Sequence, residues 1–244
     1  MKRICLPVLV LAVLLSVVFF SCKKSSSGPA VKSVAYYPLQ IGKYVVYNVD
    51  SIRWVDTSCL EYNTTYQLRY EIKDTFSDAR KNLFYVFYVY KKSNATKQAW
   101  VSNDVFYASL SDTGIIVTKD QLRFIKITLP VTSGNAWRGN TLIHTSDTDN
   151  AYFNNWSYTY QNVANSFYDG TLSFDKTITV NERDETINNI ATLPDTTASR
   201  TYFKEIYGEG VGLIYSEATH WTYDPVKASC KKGYSVIMSA TDHN

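Results

Sequence analysis

Histidine is scarce in this chain: three among 244 residues, at His144, His220 and His243. None has a second histidine or a cysteine at ligand spacing. His220 with Asp224 supplies two of the four ligands a zinc ion wants, so no metal is expected. The settings of a nucleophile are missing too, since there is no GxSxG, no SxxK and no serine between a strand and a helix. Gly208-Glu209-Gly210-Val211-Gly212 does not meet the GxGxxG spacing and runs into a β-like Leu213-Ile214-Tyr215 instead of a helix. It reads as a bulge or a close backbone crossing, and no cofactor is expected. Asp147-Thr148-Asp149-Asn150 opens like a calcium loop, but Ala151, Tyr152 and Tyr158 stand where a ligand, the turn glycine and the closing glutamate belong. That leaves a polar surface loop.

Excess charge of one sign is absent as well. Lys and Arg number 25 against 22 Asp and Glu, and Lys91-Lys92, Lys97 and Lys231-Lys232 are separate short groups. A nucleic-acid partner would need a basic footprint, so none is expected. No stretch offers an amphipathic helix. Paired carboxylates are defined by their separation in space, so a glycoside hydrolase site cannot be read from spacing. Glu205, Glu209 and Glu217 form the acidic cluster to test, and solvated faces are the simpler account of them.

What the chain has is alternation. Tyr66, Leu68, Tyr70 and Ile72 share one face of an extended strand, with Gln67, Arg69, Glu71 and Lys73 on the other. Leu172, Phe174, Ile178 and Val180 alternate with Thr and Asp residues, and Tyr234, Val236 and Met238 repeat the pattern near the C-terminus. Leu83–Tyr90 is apolar or aromatic throughout, which predicts a central strand covered on both faces. Other strands are expected at Lys43–Trp54, Lys97–Ser102, Asp104–Leu110, Gly114–Thr118, Gln121–Leu129, Trp156–Val163 and Thr201–Tyr215. Between Phe124 and Ile127 the alternation slips, as at a β-bulge. The expected fold is all-β and mostly antiparallel, a curved sandwich or half-barrel. The twenty tyrosines suit half-exposed strands, and they also suit an aromatic groove for sugar, lipid or peptide.

Lys2 and Arg3 precede an apolar run, Ile4 to Phe20, of the length of a targeting segment. Val18-Phe19-Phe20-Ser21-Cys22 resembles a bacterial lipoprotein box in the looser form of Bacteroidota. The resemblance implies a cleaved signal at 1–21 and a lipidated Cys22. A transmembrane anchor and an ordinary secretory signal are the alternatives, although a span wants about 20 apolar residues. Residues 22–33, polar, Ser-rich and broken by Gly28-Pro29, read as a tether, and 34–244 as a single all-β domain. Removing 1–21 takes Lys2 and Arg3 and no acid, so the charge of the remainder is close to zero. Cys59 and Cys230 are then the cysteines left, either a disulfide in an oxidising compartment or two buried thiols.

Tyr37-Pro38-Leu39-Gln40-Ile41-Gly42-Lys43-Tyr44-Val45-Val46-Tyr47 resembles the start of the mature domain in a family of Bacteroidota lipoproteins without an established activity. Leu129-Pro130 through Gly134 to Trp137, and Lys204–Tyr215 with His220-Trp221, fit the same family. Val45-Val46 departs from it, where a Trp is common. The resemblance implies an envelope location. Lys23-Lys24 after Cys22 lacks the acidic pattern of a surface-export tag in related bacteria, so a lipid anchor in the outer membrane, facing the periplasm, is expected. The expectation is a non-enzymatic binding or interaction module for a protein or glycan, with Trp137 and Trp221 as binding residues beside turns. The alternatives are a β-clamp for lipid or another hydrophobic ligand, and an enzyme acting on envelope polysaccharide.

Overall fold

A computed structural model describes residues 35–93, 99–227 and 229–244. The signal, Cys22, the tether and Lys97 lie outside the described residues.

Twelve strands form one antiparallel sheet: β1 (Tyr44–Val55), β2 (Leu60–Ser77), β3 (Leu83–Ser93), β4 (Val101–Ser111), β5 (Gly114–Lys119), β6 (Leu122–Thr128), β7 (Ala136–Trp137), β8 (Tyr158–Tyr168), β9 (Ser173–Ile187), β10 (Ala198–Gly208), β11 (Gly212–Tyr223) and β12 (Lys231–His243). Every strand pairs with its neighbours in sequence except β6 with β7, and β12 pairs back onto β1, so β6 and β7 are the two edges. The edges meet. Ile125 N donates to Gly139 O at 2.8 Å, and Trp137 Nε1 donates to Ile125 O at 2.7 Å. Tyr160 O–H donates to Thr128 O and its oxygen accepts from Thr128 N, both at 2.8 Å. The sheet is therefore a nearly closed up-and-down barrel, carrying the expected curvature further than a half-barrel. Closure removes the unpaired strand edges that would otherwise invite aggregation.

Alternation sorts the residues between the two sides of the wall. Tyr47 and Val49 of β1 face in and meet Ala240 and Met238 across β12, while Asn48 and Asp50 face out. The outer wall carries ion pairs, Arg69 with Glu71 at 3.3 Å and Lys204 with Glu217 at 3.5 Å. A membrane-spanning barrel presents the reverse, an apolar outer band.

The antiparallel order puts the turns after β2, β4, β8 and β10, together with both ends of the described chain, at one end of the barrel. Residues 35–43 cross that entry end: Gly210 N donates to Ala35 O at 2.7 Å, and Gly42 N to Ile72 O at 2.8 Å. Tyr37 hangs inward from this crossing, against the rings of Phe87 and Tyr207 at 6.0 and 5.8 Å. At the far end the β7–β8 connection folds over the wall with a 3₁₀ turn (Thr148–Phe153). It brings Trp156 to 4.8 Å from the ring of Phe203.

Three expectations change. The described part of Lys97–Ser102 and the whole of Asp104–Leu110 belong to one strand, β4, because no turn interrupts Val101–Ser111. Thr201–Tyr215 is two strands, because Gly210 and Gly212 take φ of 75° and 104° and turn the chain within a hairpin. The apolar run of β3 is interior to the sheet, but a one-layer barrel has a single core and covers only its inner face. On the outer face the aromatics shelter one another across strands. Phe76 lies 5.0 Å from Phe84 and 5.2 Å from Tyr107, and is still 43% exposed.

Candidate functional site

Two bulges aim charged side chains into the barrel. In the β5–β6 pairing Ile115 lies opposite Ile127 and Ile116 opposite Ile125, so Lys126 is the extra residue. In the β9–β10 pairing Arg183 lies opposite Phe203 and Asn181 opposite Lys204, so Glu182 is the extra residue. A bulge adds a residue without reversing the facing of its flanks, and it re-aims the residue it adds. Gly114 sits close beside the first bulge: a Cβ there would lie 1.9 Å from the carbonyl oxygen of Ile127.

The two bulged residues meet. Lys126 Nζ donates to Glu182 Oε1 at 2.6 Å and to Glu205 Oε1 at 2.9 Å. Glu205 reaches inward by plain alternation along β10, and its other oxygen accepts from the hydroxyl of Tyr207. Glu182 is 3% exposed. Burial, followed by the charge of Glu205, raises its carboxyl from 4.5 to about 8. For Glu205 burial pulls the same way, but Lys126 and hydrogen bonds from Glu182, Tyr207 and Lys126 outweigh it and hold the carboxyl below its usual range. Burial opposes the charge on Lys126, and the two carboxylates more than offset it. The cluster is thus one ammonium, one carboxylate and one carboxyl that keeps its proton near neutrality.

These groups form the polar part of a cavity of about 370 Å³ inside the barrel. The rest of its wall is mainly aromatic and aliphatic. Tyr37, Tyr47 and Tyr70 line it towards the entry end, Phe87 and Phe106 in the middle, and Trp156 and Phe203 towards the far end. Burial first, and then neighbouring phenols or Glu205, push the hydroxyls of Tyr37, Tyr47 and Tyr70 above their usual range, so they remain donors. The volume falls within the roughly 300–1,000 Å³ range of small-molecule sites.

Of the three acids singled out in the sequence, only Glu205 reaches this interior cluster. Glu209 pairs with Lys176 at 3.2 Å in an exposed turn, and Glu217 pairs with Lys204 on the outer wall. Trp137 stands in the seam, its ring 4.5 Å from Tyr160. Trp221 lies on the outer face opposite Gly233, which also lies opposite Trp54. Lys231 Nζ stands 4.6 Å from the Trp221 ring and 5.3 Å from that of Trp54. Cys59 and Cys230 are joined at the far end, their α-carbons 5.4 Å apart. His220 and Asp224 do not converge: His220 contacts Thr201, and Asp224 caps the turn beginning at Pro225. Among the described residues no three His, Cys, Asp or Glu are grouped to hold a metal. No described helix is long and apolar enough to cross a membrane.

Lys126 and Glu182 escaped sequence reading. The slip between Phe124 and Ile127 was the available signal for the first, since it marks the strand position where a residue is re-aimed. Glu182 lies in the polar run Asn181–Glu185, which looks the same whether it is solvated or bulged.

No family model matches this sequence, and no curated protein matches it. Among solved structures, a candidate exported protein with a YmcC-like fold from Bacteroides fragilis is similar to it. The two are 12% identical, with a TM-score of 0.42, over 86% of this chain and 98% of that one.

Proposed function

We propose that this protein is a lipid-anchored envelope binding module that carries a small, largely apolar ligand inside its barrel. The observation that carries this reading is the interior cavity of about 370 Å³, with largely aromatic and aliphatic walls around the Lys126–Glu182–Glu205 cluster. A barrel that served only as a scaffold for outside contacts would fill that space with side chains. The anchor is Cys22, on the strength of the charged start, the apolar run and the small residue before the cysteine. Cys22→Ser should leave the signal uncut or release the protein from membranes, and a mutant that fractionates like the parent overturns the anchor.

The enzyme alternative is disfavoured by geometry. A glycosidase holds its carboxyls about 5–9.5 Å apart, with sugar or water between them. Glu182 and Glu205 instead close on one lysine, whose Nζ bonds Oε1 of each at 2.6 and 2.9 Å and stands where sugar or water would have to be.

The test of cavity binding is fluorescence of the neutral dye N-phenyl-1-naphthylamine. Ala218 lines the cavity, and Ala218→Trp should abolish the dye signal while the folded protein still melts cooperatively. Undiminished dye binding in a folded Ala218→Trp variant rules the interior out as the site.

A further inference from the structure

The cluster is unbalanced in a way that specifies an occupant. Lys126 has two of its protons on Glu182 and Glu205, and the Tyr207 hydroxyl satisfies a further oxygen of Glu205. The two carboxyls converge on the same Lys126 Nζ. One ammonium beside two ionised carboxylates would leave a buried net negative charge, and without a ligand the deficit is filled by a proton on the Glu182–Glu205 pair. All three side chains line the cavity.

We propose that the cavity selects a ligand bearing one ammonium group on an apolar body, and that the ammonium replaces the proton held by the Glu182–Glu205 pair. This rests on the reading of the barrel as a ligand carrier and adds the class of ligand. The step balances: R–NH₃⁺ and a Glu182 carboxyl give R–NH₃⁺ paired with the Glu182 carboxylate, and the proton leaves to buffer. An anionic ligand would add charge to a cluster already short of cations, whereas a neutral one would gain nothing from the exchange.

The surrounding charges do not compete for this role. Lys126 on β6 is committed to both acids. Tyr37 from the entry segment, Tyr47 on β1, Tyr70 on β2, Tyr158 on β8 and Tyr207 on β10 are held protonated, chiefly by burial. Tyr152, from the far-end connection, is raised in the same way. Arg183, beside Glu182 in sequence, pairs with Glu185 at 2.7 Å. Towards the ends of the cavity, Lys119 on β5 faces Asp104 on β4 at 3.9 Å, and Lys43 is bound to the carbonyl of Asn244.

Three probes with one body and three heads decide it: 4-phenylbutylamine, 4-phenylbutanol and 4-phenylbutyrate. They are titrated calorimetrically into the mature lipoprotein in nanodiscs at about pH 6, where the proton is present, with protein-free nanodiscs as blank. Two buffers of different ionisation enthalpy count the protons released. The amine should bind about tenfold or more tighter than the alcohol, a difference of about 1.4 kcal/mol, and the butyrate weakest. Amine binding should release close to one proton, and Glu182→Gln should lose that release. An amine no tighter than the alcohol, or bound without proton release by the parent protein, overturns the ammonium assignment while leaving the cavity a binding site. Failure of all three to bind overturns both. The two-buffer comparison needs no variant, so a misfolded Glu182→Gln leaves the decision intact.

Discussion

Lys126, Glu182 and Glu205 sit where charge is expensive, since each ion loses several kcal/mol of hydration inside a protein. Their mutual contacts offset that cost only while the set is complete. Lys126→Met, which keeps the stem and deletes the charge, should destabilise the fold by about 3–5 kcal/mol in denaturant melts. Adding Glu182→Gln and Glu205→Gln to Lys126→Met should recover most of the loss, because no uncompensated charge remains. The pH dependence follows from the direction of each shift. The Glu182 carboxyl is raised from 4.5 to about 8, so its contribution is whole below the lower value and is lost as pH rises through the upper one. The Glu205 carboxyl is lowered, so its contribution is present above its ordinary value and is lost in acid. Melting temperature should therefore decline from mildly acidic to mildly alkaline pH, and Glu182→Gln should flatten that decline. An equal slope in the two proteins would place the titration elsewhere. Of the three cluster residues, only Glu205 was legible in the sequence, as one of the acids to test. A lysine in Arg123–Thr128 and a glutamate in Asn181–Glu185 are ordinary strand-surface residues until the register is known, and their meeting spans two bulges on strands far apart in the chain.

Among the elements, the strands were the readable part. Tyr66–Ile72 alternates because one side of a wall is dry and the other wetter, and that contrast is written locally; in Phe174–Val180 the pattern holds although Thr177 and Thr179 are buried as well. The hairpin at Gly208–Gly212 was hidden because the residues on either side, Ile206-Tyr207 and Leu213-Ile214, are alike in hydrophobicity. The β6–β7 seam could not be read either, being held by one backbone bond and side chains from β7 and β8 instead of a full ladder. Trp137 is the test of that seam. Trp137→Ala would remove the bond to Ile125 and the packing on Tyr160, and, the ring being partly buried, should cost about 2–3 kcal/mol, less than the truncation of a fully buried Trp. A lost ligand with an unchanged melting temperature would instead assign Trp137 to binding. Phe87 tests the inner face of β3, since its ring stacks on Phe106 at 4.5 Å. Phe87→Asp would put an unpaired charge there and should lower stability by several kcal/mol in thermal melts.

At the scale of the whole molecule, the Cys59–Cys230 bond ties the β1–β2 turn to the β11–β12 connection across 171 residues of chain. In the chain-entropy model a loop of that length is worth about 5 kcal/mol. Cys59→Ser with Cys230→Ser should melt at a markedly lower temperature, and denatured, unreduced parent protein should show no titratable thiol at either position. The pairing of β1 with β12 has a further consequence, for the order of events as the chain folds. Tyr44 and Asn244 hydrogen-bond across 200 positions, so in a chain that emerges N-terminus first, the first strand lacks one of its two partners until the last strand has followed. The β1–β6 meander can assemble as it appears, but the wall cannot close, and the interior cannot dry, before the C-terminus is through. Such long-range pairing is slow to form. Until then the inward row of Tyr47, Tyr70, Phe87 and Phe106 stands open to solvent, a client surface for chaperones.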